Sequence, residues 1–243
     1  MRHARALRFA TVAAALVGLV AGALFLAAGF LRSDPVSEFA ATGPRRPFAA
    51  LYLSGDMGLR FGIGPRVAAA LAKSGIPVLG LNSPTLFGHH RTRAEVEAIV
   101  AQGARETLAR TRAPKVVLIG QSFGADMIAT ALPALPADLR SRVLAAVLVV
   151  PGRAVYFRAD PLGFAYRGTP DAAPAAALRT VGWTSVLCIQ GMKETDSLCP
   201  GLAGGAARRV VLPGGHFLQN DDHLVTTTIL RVIDATAAGS IGS

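Results

Sequence analysis

A serine, a histidine and two carboxylates stand where they could perform nucleophilic catalysis. Ser122 lies in Gly120-Gln121-Ser122-Phe123-Gly124, a Gly-x-Ser-x-Gly pattern between an apolar run and a helical pattern. Such a turn is so tight that the residues two before and two after the serine must lack side chains, and it aims a helix N-terminus at the hydroxyl. A serine of this kind attacks an acyl carbon when a histidine accepts its proton and a carboxylate orients the histidine. The predicted chemistry is therefore acyl transfer.

The histidine expected to act with Ser122 is His216. It follows the last predicted strand, after Leu-Pro-Gly-Gly, and the order serine, acid, histidine is typical of proteins with this turn. Glu194 and Asp196 both lie between the two, after the fifth predicted strand. Asp196 is favoured because the run Asp-Ser-Leu-Cys-Pro that begins there matches an Asp-x-x-x-Pro pattern often found after such an acid. Glu194 stays open as the alternative.

A glycine-rich segment, Ser54-Gly55-Asp56-Met57-Gly58, follows the first predicted strand. The oxyanion of acyl transfer is bound by the N–H of the residue after the nucleophile and by an N–H from this kind of loop. That rule predicts Phe123 and Met57 as the two donors. Acyl transfer itself needs no carboxylate here, so Asp56 either binds a substrate ammonium group or caps its own turn. The sequence leaves both open.

Hydrophobic periodicity predicts the elements that position these residues. Apolar runs predict strands at 48–53, 76–81, 115–119, 143–150, 185–189 and 209–212, and helical spacing predicts helices at 65–73, 93–110, 123–132 and 222–238. Strands that are apolar throughout and separated by helices indicate a mostly parallel sheet covered on both faces. We therefore predict an α/β-hydrolase fold of about six strands, preceded by one N-terminal apolar helix. The weakly periodic stretch 151–183 is interpreted as a cap over the site.

The N-terminal segment is predicted to be a signal peptide or a membrane anchor. Arginines at positions 2, 5 and 8 precede the uncharged run 9–31, which exceeds the ~7–15 residues of a signal-peptide core and is long enough to span a bilayer. The positive flank keeps the N-terminus in the cytosol and exports the rest. An uncleaved anchor is favoured over cleavage near Ala21-Gly22-Ala23.

The chain thereby divides into three predicted parts. Residues 1–33 form the signal or anchor, residues 34–46 a polar linker, and residues 47–243 one α/β-hydrolase domain. Cys188 and Cys199 both belong to the domain. In an oxidising compartment such a pair is expected to form a disulfide, and two small buried thiols are the alternative.

Composition excludes several classes of protein. The chain is 51% hydrophobic and 16% charged, which fits neither a disordered protein nor a coiled coil. The formal net charge of +10 comes without a basic run interleaved with aromatics, so nucleic acid is not an expected partner. An anionic membrane surface suits the same charge better, and solvated arginines that bind no partner are the alternative. His89 and His90 are adjacent, but no third ligand is indicated, so neither a metal nor another cofactor is expected.

Five motifs together resemble the bacterial virulence-associated VirJ/AcvB family. They are Leu-Ser-Gly-Asp-x-Gly at 53–58, Val-Leu-Ile-Gly-x-Ser-Phe-Gly-Ala-Asp at 117–126, Cys-Ile-x-Gly at 188–191, Asp-Ser-Leu-Cys-Pro at 196–200 and Leu-Pro-Gly-Gly-His at 212–216. The resemblance implies a periplasmic α/β hydrolase, and members of the AcvB type hydrolyse aminoacyl-phosphatidylglycerol, notably the lysyl form. It implies Ser122, Asp196 and His216 as the triad and favours the ammonium-binding role of Asp56. Asp126 also matches.

Two departures from the family lie at the mouth of the predicted site. The chain has Gly-Asp-Met-Gly-Leu at 55–59 where Gly-Asp-Gly-Gly-Trp is usual, and Gln121 where Tyr is usual. The predicted function is a periplasmic serine esterase that cleaves the aminoacyl ester of lysyl- or alanyl-phosphatidylglycerol at the outer surface of the inner membrane. Two alternatives stay open. One is a VirJ-like interaction protein of the secretion machinery with little catalysis, and the other a general lipase, esterase or thioesterase.

Overall fold

A seven-stranded sheet forms the centre of the protein. The computed structural model describes residues 2–205 and 207–241. The strands are β1 (Val36–Phe39), β2 (Phe48–Leu53), β3 (Val78–Leu81), β4 (Lys115–Gln121), β5 (Val143–Val149), β6 (Ser185–Gly191) and β7 (Arg208–Leu212). Their order is β1-β3-β2-β4-β5-β6-β7. β1 is antiparallel to β3, and the other neighbours are parallel.

Helices cover both faces of this sheet. They are α1 (Arg2–Ala28), α2 (Gly64–Lys73), α3 (Ser83–Phe87), α4 (Arg93–Thr111), α5 (Phe123–Ala131), α6 (Ala137–Arg140), α7 (Ala175–Arg179) and α8 (Asp222–Ile241). Alternate side chains of β4 point to opposite faces, since Leu118 belongs to the core under α4 and α5 and Ile119 to the core under α2 and α8. The predicted mostly parallel sheet with helices on both faces is confirmed.

The segment predicted as a linker contains a strand. β1 pairs antiparallel with β3, with Val36 opposite Leu81 and Phe39 opposite Val78. Its four residues, Val-Ser-Glu-Phe, do not alternate between apolar and polar, and none is fully buried, so their pattern does not distinguish an edge strand from a loop. The prediction of a plain linker over 34–46 is therefore wrong at 36–39.

Helix α1 is long and apolar enough, from Thr11 to Ala28, to cross a membrane, and it is the one such helix in the described part of the chain. Its last turn is attached to the domain. The side-chain amide of Asn82 donates to the Ala28 carbonyl at 3.0 Å, and the Thr85 hydroxyl donates to the Gly29 carbonyl at 2.8 Å. Ala28 is consequently buried, while the residues from Thr11 to Leu26 are exposed except for Ala21.

The two cysteines form a disulfide, as predicted. Cys188 on β6 is bonded to Cys199, with 5.5 Å between their Cα atoms, and both residues are fully buried. Disulfides persist in oxidising compartments. Together with the N-terminal apolar helix, the bond supports an exported protein.

Candidate functional site

The turn that carries Ser122 joins β4 to α5 and leaves no room for side chains beside it. Ser122 has φ 50° and ψ −122°, a strained conformation for a residue with a side chain. A Cβ at Gly120 would lie 2.4 Å from the Gly124 carbonyl oxygen, and a Cβ at Gly124 would lie 2.3 Å from the Leu53 carbonyl oxygen. Only glycine fits at either position, which explains the spacing of the motif.

Ser122, His216 and Glu194 form a continuous chain of hydrogen bonds. Ser122 Oγ lies 2.8 Å from His216 Nε2, and His216 Nδ1 lies 2.7 Å from Glu194 Oε1. Because a carboxylate can only accept, Nδ1 carries the proton in a neutral imidazole, and Nε2 then accepts from the Ser122 hydroxyl. The Glu194 side chain is 6% exposed and the His216 side chain 44%. Glu194 is therefore buried, while His216 is open to solvent.

The predicted choice of Asp196 as partner of His216 is wrong, because Glu194 makes that contact. Strand β6 continues to Gly191, two residues beyond its predicted end, and a turn follows in which Glu194 N–H donates to the Gly191 carbonyl at 3.1 Å. Lys193 N–H donates to the Gly214 carbonyl at 2.8 Å, which ties this turn to the loop of His216. Asp196 comes after the turn and is exposed, on the rim of the adjoining cavity.

Of the two predicted oxyanion donors, Phe123 directly follows Ser122, and Met57 belongs to the loop after β2 that passes Ser122 at Gly55. Phe123 is the first residue of α5, so its N–H has no acceptor within the helix. The loop of Met57 passes close by, since a Cβ at Gly55 would lie 3.6 Å from Ser122 Cβ. Met57 and Phe123 both line the cavity into which Ser122 opens. The placement suits an oxyanion hole, and the role itself stays a prediction.

The cavity over Ser122 has a volume of about 1070 Å³, and carboxyl groups outnumber basic groups in its lining. The cap contributes Tyr156, Pro161 and Tyr166 to its wall. Its charged lining consists of four carboxylates and one lysine, with His216 beside them: Asp56, Asp126, Glu194, Asp196 and Lys193. A negative cavity in a chain with a net charge of +10 favours a ligand that carries positive charge.

A family model described as bacterial virulence protein (VirJ) matches residues 48–237. The chain belongs to the VirJ family. The match includes β2, the Ser122 turn, Glu194 and His216. No match among curated proteins was found.

Solved structures with the same fold include two esterases, a thioesterase domain and a proline iminopeptidase, by name. Est1E from Butyrivibrio proteoclasticus superposes with a TM-score of 0.57 at 14% identity, covering 84% of this chain and 94% of that one. The naproxen esterase from Bacillus subtilis gives a TM-score of 0.56 at 14% identity, covering 81% and 86%. A thioesterase domain from the curacin biosynthetic pathway gives 0.56 at 14% identity, covering 81% and 94%. At this identity the likeness shows the α/β-hydrolase fold of the VirJ-family chain and nothing finer.

Asp56 of the VirJ-family chain faces the cavity with one hydrogen bond from the cap. Its Oδ2 accepts from the Tyr166 hydroxyl at 2.9 Å, and that hydroxyl oxygen accepts from Asp160 N–H at 3.1 Å. Burial raises the pKa of Asp56 above its usual value, against the lowering effect of the Tyr166 hydrogen bond. If Asp56 only satisfied the backbone of its own turn, as the predicted alternative holds, its contact with Tyr166 in the cap segment would be unexplained.

Tyr166 and Asp126 are two cavity residues whose part sequence reasoning did not establish. Nothing in the irregular stretch 151–183 marks Tyr166, because its position depends on how the cap folds back over Asp56. Asp126 lies one turn into α5, where its Oδ1 accepts from Gly152 N–H at 2.7 Å. Burial raises the pKa of Asp126 well above its usual range, and the nearby carboxylates of Asp196 and Asp56 raise it further.

Replacing Asp126 with asparagine should raise the melting temperature of the protein near pH 7 by about 2–4 °C, the shift expected for about 1 kcal/mol in a chain of this size. Asparagine is neutral and its Oδ1 can still accept from Gly152. The pKa of Asp126 is raised on folding, so this group favours the folded state at low pH. That contribution is lost as pH rises from the unfolded value, about 3.9, through the folded value.

Thermal unfolding of the full chain in detergent between pH 4 and pH 8 measures this effect. The difference between Asp126→Asn and the original protein should shrink as pH falls. Asp138, an exposed carboxylate on α6, supplies the matched control as Asp138→Asn. Parallel curves for the Asp126 variant and the original protein would contradict the burial of charge at this position.

Proposed function

We propose that this VirJ-family protein is a serine esterase that hydrolyses the aminoacyl ester of aminoacyl-phosphatidylglycerol. The observation that carries the proposal is the junction of the Ser122–His216–Glu194 chain with an acidic cavity. The hydrogen-bonded residues supply a nucleophile and its base, and the cavity supplies a place for a cationic acyl group. Lysyl and alanyl esters both carry an α-ammonium group, and the lysyl ester carries a second one.

The first half of the reaction forms an acyl-enzyme. Ser122 Oγ attacks the ester carbonyl carbon while its proton passes to His216 Nε2, and Glu194 stabilises the imidazolium through Nδ1. The oxyanion accepts from the N–H groups of Phe123 and Met57. When the tetrahedral intermediate collapses, the C–O bond to the glycerol of phosphatidylglycerol breaks, and His216 returns the proton to that leaving oxygen.

Water completes the cycle in the second half. It gives a proton to His216 Nε2 as its oxygen attacks the aminoacyl carbon, and collapse of the second intermediate returns the proton to Ser122 Oγ. The products are the free amino acid and phosphatidylglycerol. The cycle requires neither an oxidant nor a reductant.

Asp56 is proposed to bind the ammonium group of the aminoacyl moiety. It lines the same cavity as Ser122, and the one side-chain hydrogen-bond partner of its carboxylate in the described part of the chain is the neutral phenol of Tyr166. A cation is a stronger partner for a desolvated carboxylate than a phenol is. Binding of the ammonium group would also lower the raised pKa of Asp56.

The place of action is proposed to be the outer surface of the inner membrane, in the periplasm. Helix α1 is long and apolar enough to cross a membrane, and a disulfide is typical of an oxidising compartment. An enzyme anchored beside its lipid substrate meets it at a high local concentration. The positive net charge outside the cavity suits an anionic lipid surface.

Replacing Asp56 with asparagine should lower kcat/KM for lysyl-phosphatidylglycerol by about 100-fold, since loss of one partner of a desolvated charge pair costs about 2–5 kcal/mol and 1.4 kcal/mol is tenfold. Hydrolysis of a neutral acyl ester of phosphatidylglycerol should be unchanged, because asparagine keeps the size of the side chain and can accept from Tyr166. The measurement is release of lysine and of the neutral acid by the full chain in mixed micelles.

Asp138→Asn removes the same charge far from the cavity and is the matched control. An equal loss on both esters would assign Asp56 a structural role. Undiminished turnover of the lysyl ester by the Asp56 variant, with comparable turnover of the neutral ester, would favour a general esterase.

A further inference from the structure

A second, apolar groove runs along α1 and meets the catalytic cavity. Its volume is about 430 Å³. Met57 and Pro161 line both the groove and the catalytic cavity, so the two spaces adjoin. The remaining lining comes from one face of α1 and from the cap: Leu16, Val17, Val20, Ala21, Leu24, Phe25 and Leu162.

The length and direction of the groove match one leaflet of a bilayer. From Leu16 to Phe25 the axis of α1 rises about 13 Å, and one leaflet is about half of a hydrocarbon core of about 30 Å. The groove occupies the C-terminal half of α1, which lies on the exported side when the positive flank stays in the cytosol. It therefore leads from the outer leaflet toward the loop of Met57.

The cap carries exposed apolar side chains near the groove, which Leu162 lines, and the rim of the cavity carries another. Leu162 and Phe164 are each 62% exposed, and Phe217, which follows His216 on the cavity rim, is 75% exposed. Large exposed apolar side chains around an opening are typical of a surface that contacts a membrane or an apolar ligand. The cap tip and the rim would rest in the outer leaflet.

The junction between the groove and the cavity is held in place. A Cβ at Gly58, next to Met57, would lie 2.5 Å from the Ala28 carbonyl oxygen, and Gly58 has φ +74°. Leu59 N–H donates to Asn82 Oδ1 at 3.0 Å, while the amide nitrogen of Asn82 donates to Ala28. The end of α1 is thus fixed against the loop proposed to bind the oxyanion.

We propose that the groove holds one acyl chain of the glycerolipid whose aminoacyl ester lies in the catalytic cavity. This inference rests on the proposed function and adds a binding site to it. The lipid would enter sideways from the outer leaflet, with its chain along α1, its glycerol near Met57 and Pro161, and its ester carbonyl at Ser122. The tail never leaves an apolar environment, so it is not exposed to water on entry.

Photocrosslinking tests the occupant without relying on turnover. The full chain is reconstituted in phosphatidylglycerol vesicles that contain phosphatidylglycerol with a diazirine in one acyl chain, and the sites are mapped by mass spectrometry. We expect crosslinks to concentrate at Val20, Leu24 and Leu162 over Leu19 and Leu26, which are exposed elsewhere on α1. Equal labelling around the helix would overturn the proposal, because it would show only surrounding lipid.

A matched pair of tryptophan variants tests the role of the groove in turnover. Val20→Trp fills the groove, and Leu19→Trp makes a similar change outside it. Val20→Trp should lower kcat/KM for long-chain lysyl-phosphatidylglycerol about tenfold, the effect of losing about two buried methylene contacts, mainly through KM. Leu19→Trp should leave it unchanged. Leu162→Trp fills the groove from an exposed cap position and should repeat the Val20 result.

A lysyl ester of glycerol phosphate, which has no acyl chains, separates this proposal from the proposed function. All three variants should cleave it like the original protein. Equal losses of kcat/KM on both substrates, or equal losses for Val20→Trp and Leu19→Trp, would overturn the proposal that the groove binds an acyl chain. If the original protein cleaves neither lysyl substrate, the proposed function fails, and the crosslinking pattern still decides whether the groove binds an acyl chain.

Discussion

Replacing Ser122 with alanine is expected to lower kcat for ester hydrolysis by about 10⁶-fold, the loss found when the nucleophile of a serine triad is removed. The hydroxyl lies 2.8 Å from His216 Nε2, and no other group in that chain can form the acyl-enzyme. His216→Ala should cost about as much alone, and the double variant no more than either, because the two residues act as one unit.

Covalent labelling supplies a readout that does not depend on the choice of substrate. A fluorophosphonate should label the original protein at Ser122 and leave Ser122→Ala unlabelled. Ser141→Ala, at an exposed serine before β5, is the control and should label normally. If the original protein neither turns over esters nor labels, the VirJ-like interaction protein of the secretion machinery becomes the better account.

The sequence predicts most of the fold because its central strands are buried on both faces. Runs such as 115–119 and 143–149 are rich in branched apolar residues, and their burial leaves few alternatives to a parallel sheet. The Ser122 turn is predictable for a related reason. Steric exclusion at Gly120 and Gly124 depends on a few residues close to Ser122, so a short sequence motif is enough to predict the turn.

Features that depend on distant parts of the chain could not be predicted in the same way. The contact between Tyr166 and Asp56 joins the cap to the loop after β2. Neither segment has a hydrophobic periodicity from which that contact could be predicted. The apolar groove could not be predicted from the sequence for the same reason. Hydropathy shows that α1 is long and apolar enough to cross a membrane, but which of its faces is covered follows only from the position of Met57 and Leu162.

The choice between the two acids shows that a short motif, here Asp-x-x-x-Pro, does not establish which carboxylate faces the histidine. The apolar run ends at Ile189, so the sequence predicts that β6 ends there, but pairing of Gln190 and Gly191 with β7 extends it. With β6 ending at Gly191, Glu194 lies in the turn directly after the strand and its carboxylate contacts His216, whereas Asp196 lies beyond that turn. Strand ends are set by pairing as much as by hydropathy, and pairing is not visible in the run itself.

Glu194→Gln should therefore lower kcat by about 10⁴-fold, as does the corresponding acid-to-amide change in a serine triad, while Asp196→Asn should leave kcat close to that of the original protein. Glutamine keeps the shape of the side chain and can still accept from Gly191 N–H, which Glu194 binds through Oε2 at 3.2 Å. It cannot stabilise the imidazolium that forms when Ser122 loses its proton, and it can hold His216 in the wrong tautomer.

Kinetics of both variants on the same lysyl ester, with thermal unfolding as a check on folding, decide the assignment. Glu194→Asp adds a geometric test, because it keeps the charge but withdraws the carboxylate by one methylene. It should fall between glutamine and the original protein if distance to Nδ1 is what matters. A large loss for Asp196→Asn with little loss for Glu194→Gln would mean that the turn after Gly191 rearranges when substrate binds and brings the second carboxylate to His216.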